Sequence, residues 1–323
     1  SYLVLDERTG INGPEVTGRV ISYVESVDPI RVTDRNSKDV TELLLTADKI
    51  APDPGVLDRR FIGLLENDQT ITVEFGHRID REGAVLVADG WVEYPYSQTV
   101  FAAWQAGINY RSATLEARDR HGIWHEIVRE FGYPAGMPRQ MALPLGDLPE
   151  GADAIRLSSN MEIYWDRIQV VYEQSTDVRT QVTRPSVARI ARTGFSKRTT
   201  SGQRVPDYDY SKRSPYWDVK THKGFYTSLG NALPLVEAAD GALAIIGGGE
   251  EIHLEFDEVS DTPEGYRRYF VLEFRGWAKD MDLYTQHGDT VGPLPVPPNM
   301  NNNSLVLRDL LHDKYNVRYQ EGF

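Results

Sequence analysis

The chain has 323 residues, 48 acidic against 35 basic side chains, a net charge of −13 and no cysteine. Disulfides, thiol nucleophiles, zinc–thiolate centres and cysteine-ligated iron–sulfur clusters are thereby excluded, and the acidic balance argues against nucleic acid as a partner. The length corresponds to about two domains. No apolar run reaches the ~18 residues of a membrane helix, so a membrane-spanning chain is not expected.

Ser1 rather than Met opens the sequence and no signal-peptide pattern follows it, so we expect a processed product or a fragment. Along the chain the dominant signal is β: short apolar–polar alternations punctuated by 27 glycines and 18 prolines. The alternations predict strands at 71–75, 84–91, 154–158, 168–172, 252–256 and 269–274. Weaker strand signals lie at 61–65 and 242–246. Short helices are expected at 39–46, 233–239 and 304–313. The expected fold class is mainly β: two related β-sandwich units of jelly-roll or immunoglobulin-like type in tandem, with few short helices.

The kinship of the units is read from a repeated phrase. Ile71-Thr72-Val73-Glu74-Phe75 is followed by a turn and a strand ending in Gly90-Trp91; Ile252-His253-Leu254-Glu255-Phe256 is followed by a turn and a strand ending in Gly276-Trp277. The expected organisation is a first sandwich at 1–175, a basic irregular linker at 176–214, a second unit at 215–295 and a C-terminal arm at 296–323. The arm follows a run of prolines at 293, 295, 297 and 298 and an asparagine tract, and Leu305, Leu307, Leu310 and Leu311 give it an apolar face.

Between the units, 178–204 holds seven basic residues and no acidic one. Arg184, Arg189, Arg192, Lys197 and Arg198 could dock an acidic partner or an acidic face of the same chain; a solvated linker would look the same.

No nucleophile elbow, zinc-protease helix, phosphate loop or dinucleotide fingerprint occurs. His121 and His125 have metal-compatible spacing on a helix, but Asp119-Arg120-His121-Gly122 reads as a hairpin turn. On a strand the two would stand about 13 Å apart, too far to share an ion. Calcium is the one cofactor the acidic loops suggest, at Asp280, Asp282 and Asp289, although no glutamate closes the loop at its twelfth position. Asp207 with Asp209, and Asp34 with Asn36 and Asp39, are looser alternatives. The densest ligand-type cluster follows the first Gly-Trp: Trp91, Glu93, Tyr94, Tyr96, Trp104 and Gln105. Aromatic faces beside amides and carboxylates suit sugar rings; a core with a long packed loop would use the same aromatics.

Four phrases carry a family resemblance: Gly90-Trp91-Val92-Glu93-Tyr94, Phe131-Gly132-Tyr133-Pro134-Ala135-Gly136-Met137-Pro138-Arg139, Ile163-Tyr164-Trp165-Asp166-Arg167 and Gly276-Trp277-Ala278-Lys279-Asp280-Met281-Asp282-Leu283. Together they resemble the C-terminal region of bacterial exported FG-GAP (VCBS-type) proteins with ASPIC/UnbV-type modules, akin to cartilage acidic protein, over most of residues 60–295. This chain lacks the family's propeller repeats and their calcium loops, so no calcium ligand is carried over. The resemblance implies a periplasmic or extracellular, non-catalytic binding or assembly role. The expected function is an accessory or structural subunit of a larger assembly acting through protein–protein contacts. The alternatives are a carbohydrate-binding module using the aromatic cluster, and a hydrolase using paired carboxylates such as Glu93 and Glu116.

Overall fold

The computed structural model describes residues 2–9, 18, 20–134, 136–176, 178–214, 220–282, 285–297 and 300–322. The chain is mainly β, built from antiparallel sheets with few helices. Its contacts divide it into two units, 1–178 with 199–207, and 179–198 with 208–323.

The first unit holds β1 (Tyr2–Leu5), β2 (Arg8–Thr9), β3 (Val20–Val27), β4 (Arg31–Thr33), β5 (Leu64–Glu74), β6 (Ala84–Val92), the helix α1 (Ser97–Gln105), β7 (Ala113–Arg118), β8 (Trp124–Pro134), β9 (Arg139–Pro144), β10 (Ala154–Met161) and β11 (Ile163–Glu173). A five-stranded sheet runs β1-β3-β11-β6-β9 and a six-stranded sheet runs β2-β8-β7-β10-β5-β4. Period-two alternation explains the six-stranded sheet. On β7, Ala113, Leu115 and Ala117 are buried while Thr114, Glu116 and Arg118 face out. β10 adds Ile155 and Leu157, and β5 adds Ile71 and Val73, to one core that also takes Leu86 and Ala88 of β6 and Ile168 and Val170 of β11. Each such Leu or Ile contributes about 1.5–3 kcal/mol by leaving water. β6 is apolar apart from Asp89 because it is buried on both faces: Val85 and Val87 join a second cluster with Val4, Ile21, Ala142 and Val171.

The Gly90-Trp91 phrase has a steric cause. A Cβ on Gly90 would lie 2.5 Å from the Tyr164 carbonyl oxygen, so only glycine lets β6 approach β11 where the pairing shifts between Trp165 and Arg167. Trp91 then stacks on Tyr164 with ring centroids 5.5 Å apart.

The second unit holds β12 (Pro185–Arg192), β13 (Phe195–Thr200), β14 (Pro206–Ser214), β15 (Gly224–Tyr226), β16 (Gly230–Asn231), α2 (Leu233–Val236), β17 (Glu250–Phe256), α3 (Asn302–Tyr315) and β18 (Arg318–Gln320). Its sheets are β16-β12-β17 and β15-β18, and β13 pairs with β14 in a hairpin whose tip, 199–207, belongs to the first unit. Asn301 caps α3 by accepting the Ser304 N–H at 2.9 Å.

Several expectations change here. The 176–214 segment is not an irregular linker. Ala188 and Ile190 alternate inward while Arg189 faces out, which makes β12 the central strand of a sheet; Pro185 sits at its first position, where no ladder N–H is needed. The C-terminal residues are not a separate arm, since α3 and β18 belong to the second unit and β18 pairs with β15. On α3, Leu305 and Leu311 are half-buried while Leu307 and Leu310 are exposed. The 39–46 helix is a single 3-10 turn, Thr41–Leu44. No strand forms at 242–246 or 269–274. The second Gly-Trp phrase therefore takes a different structure from the first, with Trp277 exposed where Trp91 is buried. The expected start of the second unit at 215, Leu283 and Tyr284 of the acidic loop, Ala135, and Pro298 and Asn299 lie outside the described residues.

Candidate functional site

Trp91, first in the expected sugar cluster, is fully buried and cannot meet a ligand. Its indole N–H donates to the Gln203 carbonyl at 2.7 Å, and the Gln203 side chain pairs with the Ala51 backbone through both amide groups, at 3.0 and 2.6 Å. Ala51, Trp91, Tyr164 and Val205 form a small apolar cluster around this contact. The hairpin tip is thus sealed onto the end of β6 and β11.

A buried carboxylate lies beside it. Glu162, its side chain 1% exposed, accepts the Tyr164 hydroxyl at 2.6 Å and Arg204 Nε at 3.1 Å. Arg204 also reaches Glu93 at 4.0 Å. Burial pushes the Tyr164 hydroxyl pKa well above its ordinary value, and the Glu162 hydrogen bond adds to this. Arg204 thus lies between the buried Glu162 and the half-buried Glu93. Glu116, the other carboxylate considered for hydrolysis, is bound by Arg156 through both oxygens at 2.7 Å. Asp166 takes the N–H groups of Asp48 and Lys49 at 3.2 and 3.0 Å and fixes that turn, with burial raising its pKa against those donors.

The remaining aromatics are at the surface. Tyr94 and Tyr96 meet edge-to-face at 6.2 Å and both are exposed, while Trp104 on α1 is 63% exposed and tilts against Phe101 at 5.6 Å. Gln105 closes the same helix, and Glu93 is half-buried through its link to Arg204. The sequence places no helix here, since the aromatics of α1 match a packed loop as well as a helix face. Its stop signal was present: Gly107 adopts φ +77° and donates to the Trp104 carbonyl at 2.9 Å.

The acidic loops use their oxygens internally. Asp282 accepts the Thr285 N–H and hydroxyl at 2.8 and 3.0 Å, and the Asp289 carbonyl accepts the Lys223 N–H at 2.8 Å. His222 lies against the Asp280 backbone. Asp34 takes the N–H groups of Asn36 and Lys38, and Asp209 takes Ser211. Among the described residues no group of three or more histidine or acidic side chains is arranged to hold a metal ion. His121 and His125 do flank a hairpin turn: Asp119 accepts the His121 and Ile123 N–H groups and His125 Nε2 at 2.8 Å, which pulls its pKa down to about 2, the histidine bond being the largest cause.

The basic strip meets an acidic face of its own unit. Arg189 binds Glu255 at 3.1 Å, Arg192 binds Glu250 at 3.3 Å, and the Arg198 guanidinium lies 6.0 Å from the Tyr208 ring. Arg184 and Lys197 are exposed. Glu250, its side chain 2% exposed, also takes Arg318 at 2.7 Å and the Gly247 N–H at 3.0 Å. Among the described residues, open hollows include these two. One, of about 500 Å³, is a polar depression beside Thr33, Asn67, Asp68 and Arg156. The other, of about 430 Å³, lies between Phe225, Ile245, Val291, His312 and Asn316.

A run of exposed apolar side chains lies in the second unit. Tyr269, Phe270, Val271, Leu272, Phe274 and Trp277 are all exposed, Phe270 at 81% and Leu272 at 68%. No family model matches the chain, and neither a curated protein nor a solved structure shows significant similarity to it.

Proposed function

We propose that this protein is a non-enzymatic binding or accessory subunit that acts through protein–protein contacts in a larger exported assembly. The observation that carries this reading is the exposed run from Tyr269 to Trp277. Monomers seldom expose contiguous apolar patches beyond about 300–600 Å², and larger ones mark interaction sites. The resemblance to exported FG-GAP and ASPIC/UnbV-type proteins supports a periplasmic or extracellular location. The two sheets of the first unit, sharing one core, support reading that unit as a β-sandwich. A kinship between the units rests on the repeated Glu-Phe…Gly-Trp phrase alone. Light scattering and identification of co-eluting chains, for the full-length wild type and for Phe270→Asp/Leu272→Asp, test the reading. A wild-type monomer with nothing co-purifying would count against it.

A second reading rests on Tyr94, Tyr96 and Trp104, which stand exposed near Glu93 and Gln105 and could stack sugar rings. A glycan array with wild type and Trp104→Ala decides it. Retention of no glycan, or of one indifferent to the substitution, ends it.

A further inference from the structure

β17 is the terminal strand of its sheet, and among the described residues its outer edge pairs with no strand. Thirteen positions beyond its end, 269–274 has strand composition yet forms no ladder. We propose that this segment pairs antiparallel with β17 of a second copy of the chain, reciprocally, so that each copy lends one strand to the other. The inference rests on the protein-contact reading above and names the partner.

One register aligns the apolar side chains of the two strands. Placing Leu272 opposite Leu254 puts Phe274 opposite Ile252 and Phe270 opposite Phe256. These three pairs continue the face on which Ala188 and Ile190 of β12 already meet Leu254 and Ile252 and are buried. On the other face the same register sets Arg275 opposite Glu251, Glu273 opposite His253 and Val271 opposite Glu255, the glutamates already held by Arg213 and Arg189 of their own chain; in line with the apolar pairs, just beyond the strand, Arg268 comes opposite Glu258. A slip of one residue would turn the apolar side chains to the wrong face and set Arg275 against Ile252. Within one chain both halves stay open: Leu254 and Phe256 are exposed on β17, and Phe270, Leu272 and Phe274 on the segment. The side chains that meet, Phe270, Leu272 and Phe274 on the segment with Leu254 and Phe256 on β17, are exposed in each copy; with whole aromatic side chains burying about 150–250 Å² they offer on the order of 500 Å² per copy, and the paired backbone edges add to this, toward the ~800 Å² per partner of a stable interface. Backbone pairing along an open edge supplies affinity, and a two-fold, reciprocal arrangement closes on two copies instead of propagating.

The cysteine-free sequence makes the test direct. Leu254→Cys and Leu272→Cys are introduced in separately tagged full-length chains, which are mixed and oxidised, and light scattering is run on wild type and on Phe270→Asp/Leu272→Asp. Both aspartates replace exposed side chains, so circular dichroism should stay unchanged. The expected result is a dimer that the double substitution makes monomeric, with the disulfide joining chains of different tag. A monomer at all concentrations overturns the proposal. So does a dimer indifferent to the aspartates, or a 254–272 disulfide formed only within one chain that carries both cysteines. If wild type is monomeric but retains a different protein that Phe270→Asp/Leu272→Asp loses, self-pairing fails while the protein-contact reading stands. If neither occurs, both fail.

Discussion

Glu250 and Glu162, both buried, and the half-buried His312 show how single groups govern this molecule. Glu250 stands between Arg192 and Arg318 with almost no water contact. Removing one partner of a buried ion pair leaves the other desolvated and unpaired, at a cost of about 3–5 kcal/mol. Arg318, mostly covered and bonded also to the Thr227 carbonyl, would be that orphan. Glu250→Ala should therefore lower unfolding free energy by about 3 kcal/mol in urea melts, and a loss under about 1 kcal/mol would contradict the burial argument. Arg204→Ala should act alike on the first unit by stranding Glu162, with a cost of about 3 kcal/mol. His312 answers to pH. Its Nε2 accepts the Leu243 N–H at 2.9 Å, and burial first, then the nearby Arg308 charge, holds its pKa below the ordinary histidine value. A depressed folded pKa means that the stability it brings is present above the unfolded value of about 6.5 and is lost as pH falls through the folded value. The imidazole proton resonance should titrate below pH 6.5, and His312→Gln should flatten the stability loss between pH 7 and pH 5. A midpoint above 6.5 would reverse the sign. His222, lowered chiefly by burial, works in the same direction. Asp89 and Asp166 work oppositely: burial raises both, so their contribution is fully present below the unfolded carboxylate value and is lost as pH rises through the folded one.

At the level of elements, glycines decide where strands and helices can approach and stop. Gly90→Ala would press a Cβ into the Tyr164 carbonyl and force β6 away from β11; a loss of about 2–3 kcal/mol is expected from thermal unfolding. Gly107→Ala meets no atom, so its cost is only that of a left-handed backbone, about 1 kcal/mol. If the two substitutions cost the same, steric approach is not what the Gly-Trp phrase encodes. The strands of the first unit were legible because each carries an inward alternation matched by its neighbours, as β7, β10 and β5 do. β12 was hidden by its arginines. Charges on one face read as a linker until Ala188 and Ile190 on the other face are seen to pack and Glu250 and Glu255 to neutralise the strip. The 269–274 run shows the converse: β propensity is strong, yet the segment forms no ladder within the chain.

Across the whole molecule, the division of the chain does not follow its order. Residues 199–207 belong with 1–178, although 179–198 and 208–214 belong to the second unit. A chain ending at 178 should therefore be less stable than one ending at 214. It leaves the buried Trp91 N–H without its Gln203 acceptor, at about 1–3 kcal/mol, and strands Glu162 as well. Equal melting of the two fragments would show that the hairpin tip is not part of the first unit. The candidate site was half legible. Tyr94, Tyr96 and Trp104 are exposed as a ligand surface requires, whereas Trp91, their neighbour in sequence, turns inward with the strand pleat and is sealed by residues more than a hundred positions away.

The sequence by itself determined the β class, the absence of thiol chemistry, the inward faces of the regular strands and the hairpin turn at 119–122, because each depends on composition or on neighbours a few residues apart. Only the tertiary structure decided that the basic strip answers to the chain's own glutamates, that the carboxylates Glu162 and Glu250 are locked by arginines, and that Tyr269 to Trp277 stands exposed. Those outcomes depend on which distant backbone edge, charge or ring is brought within contact range, and no local periodicity encodes that.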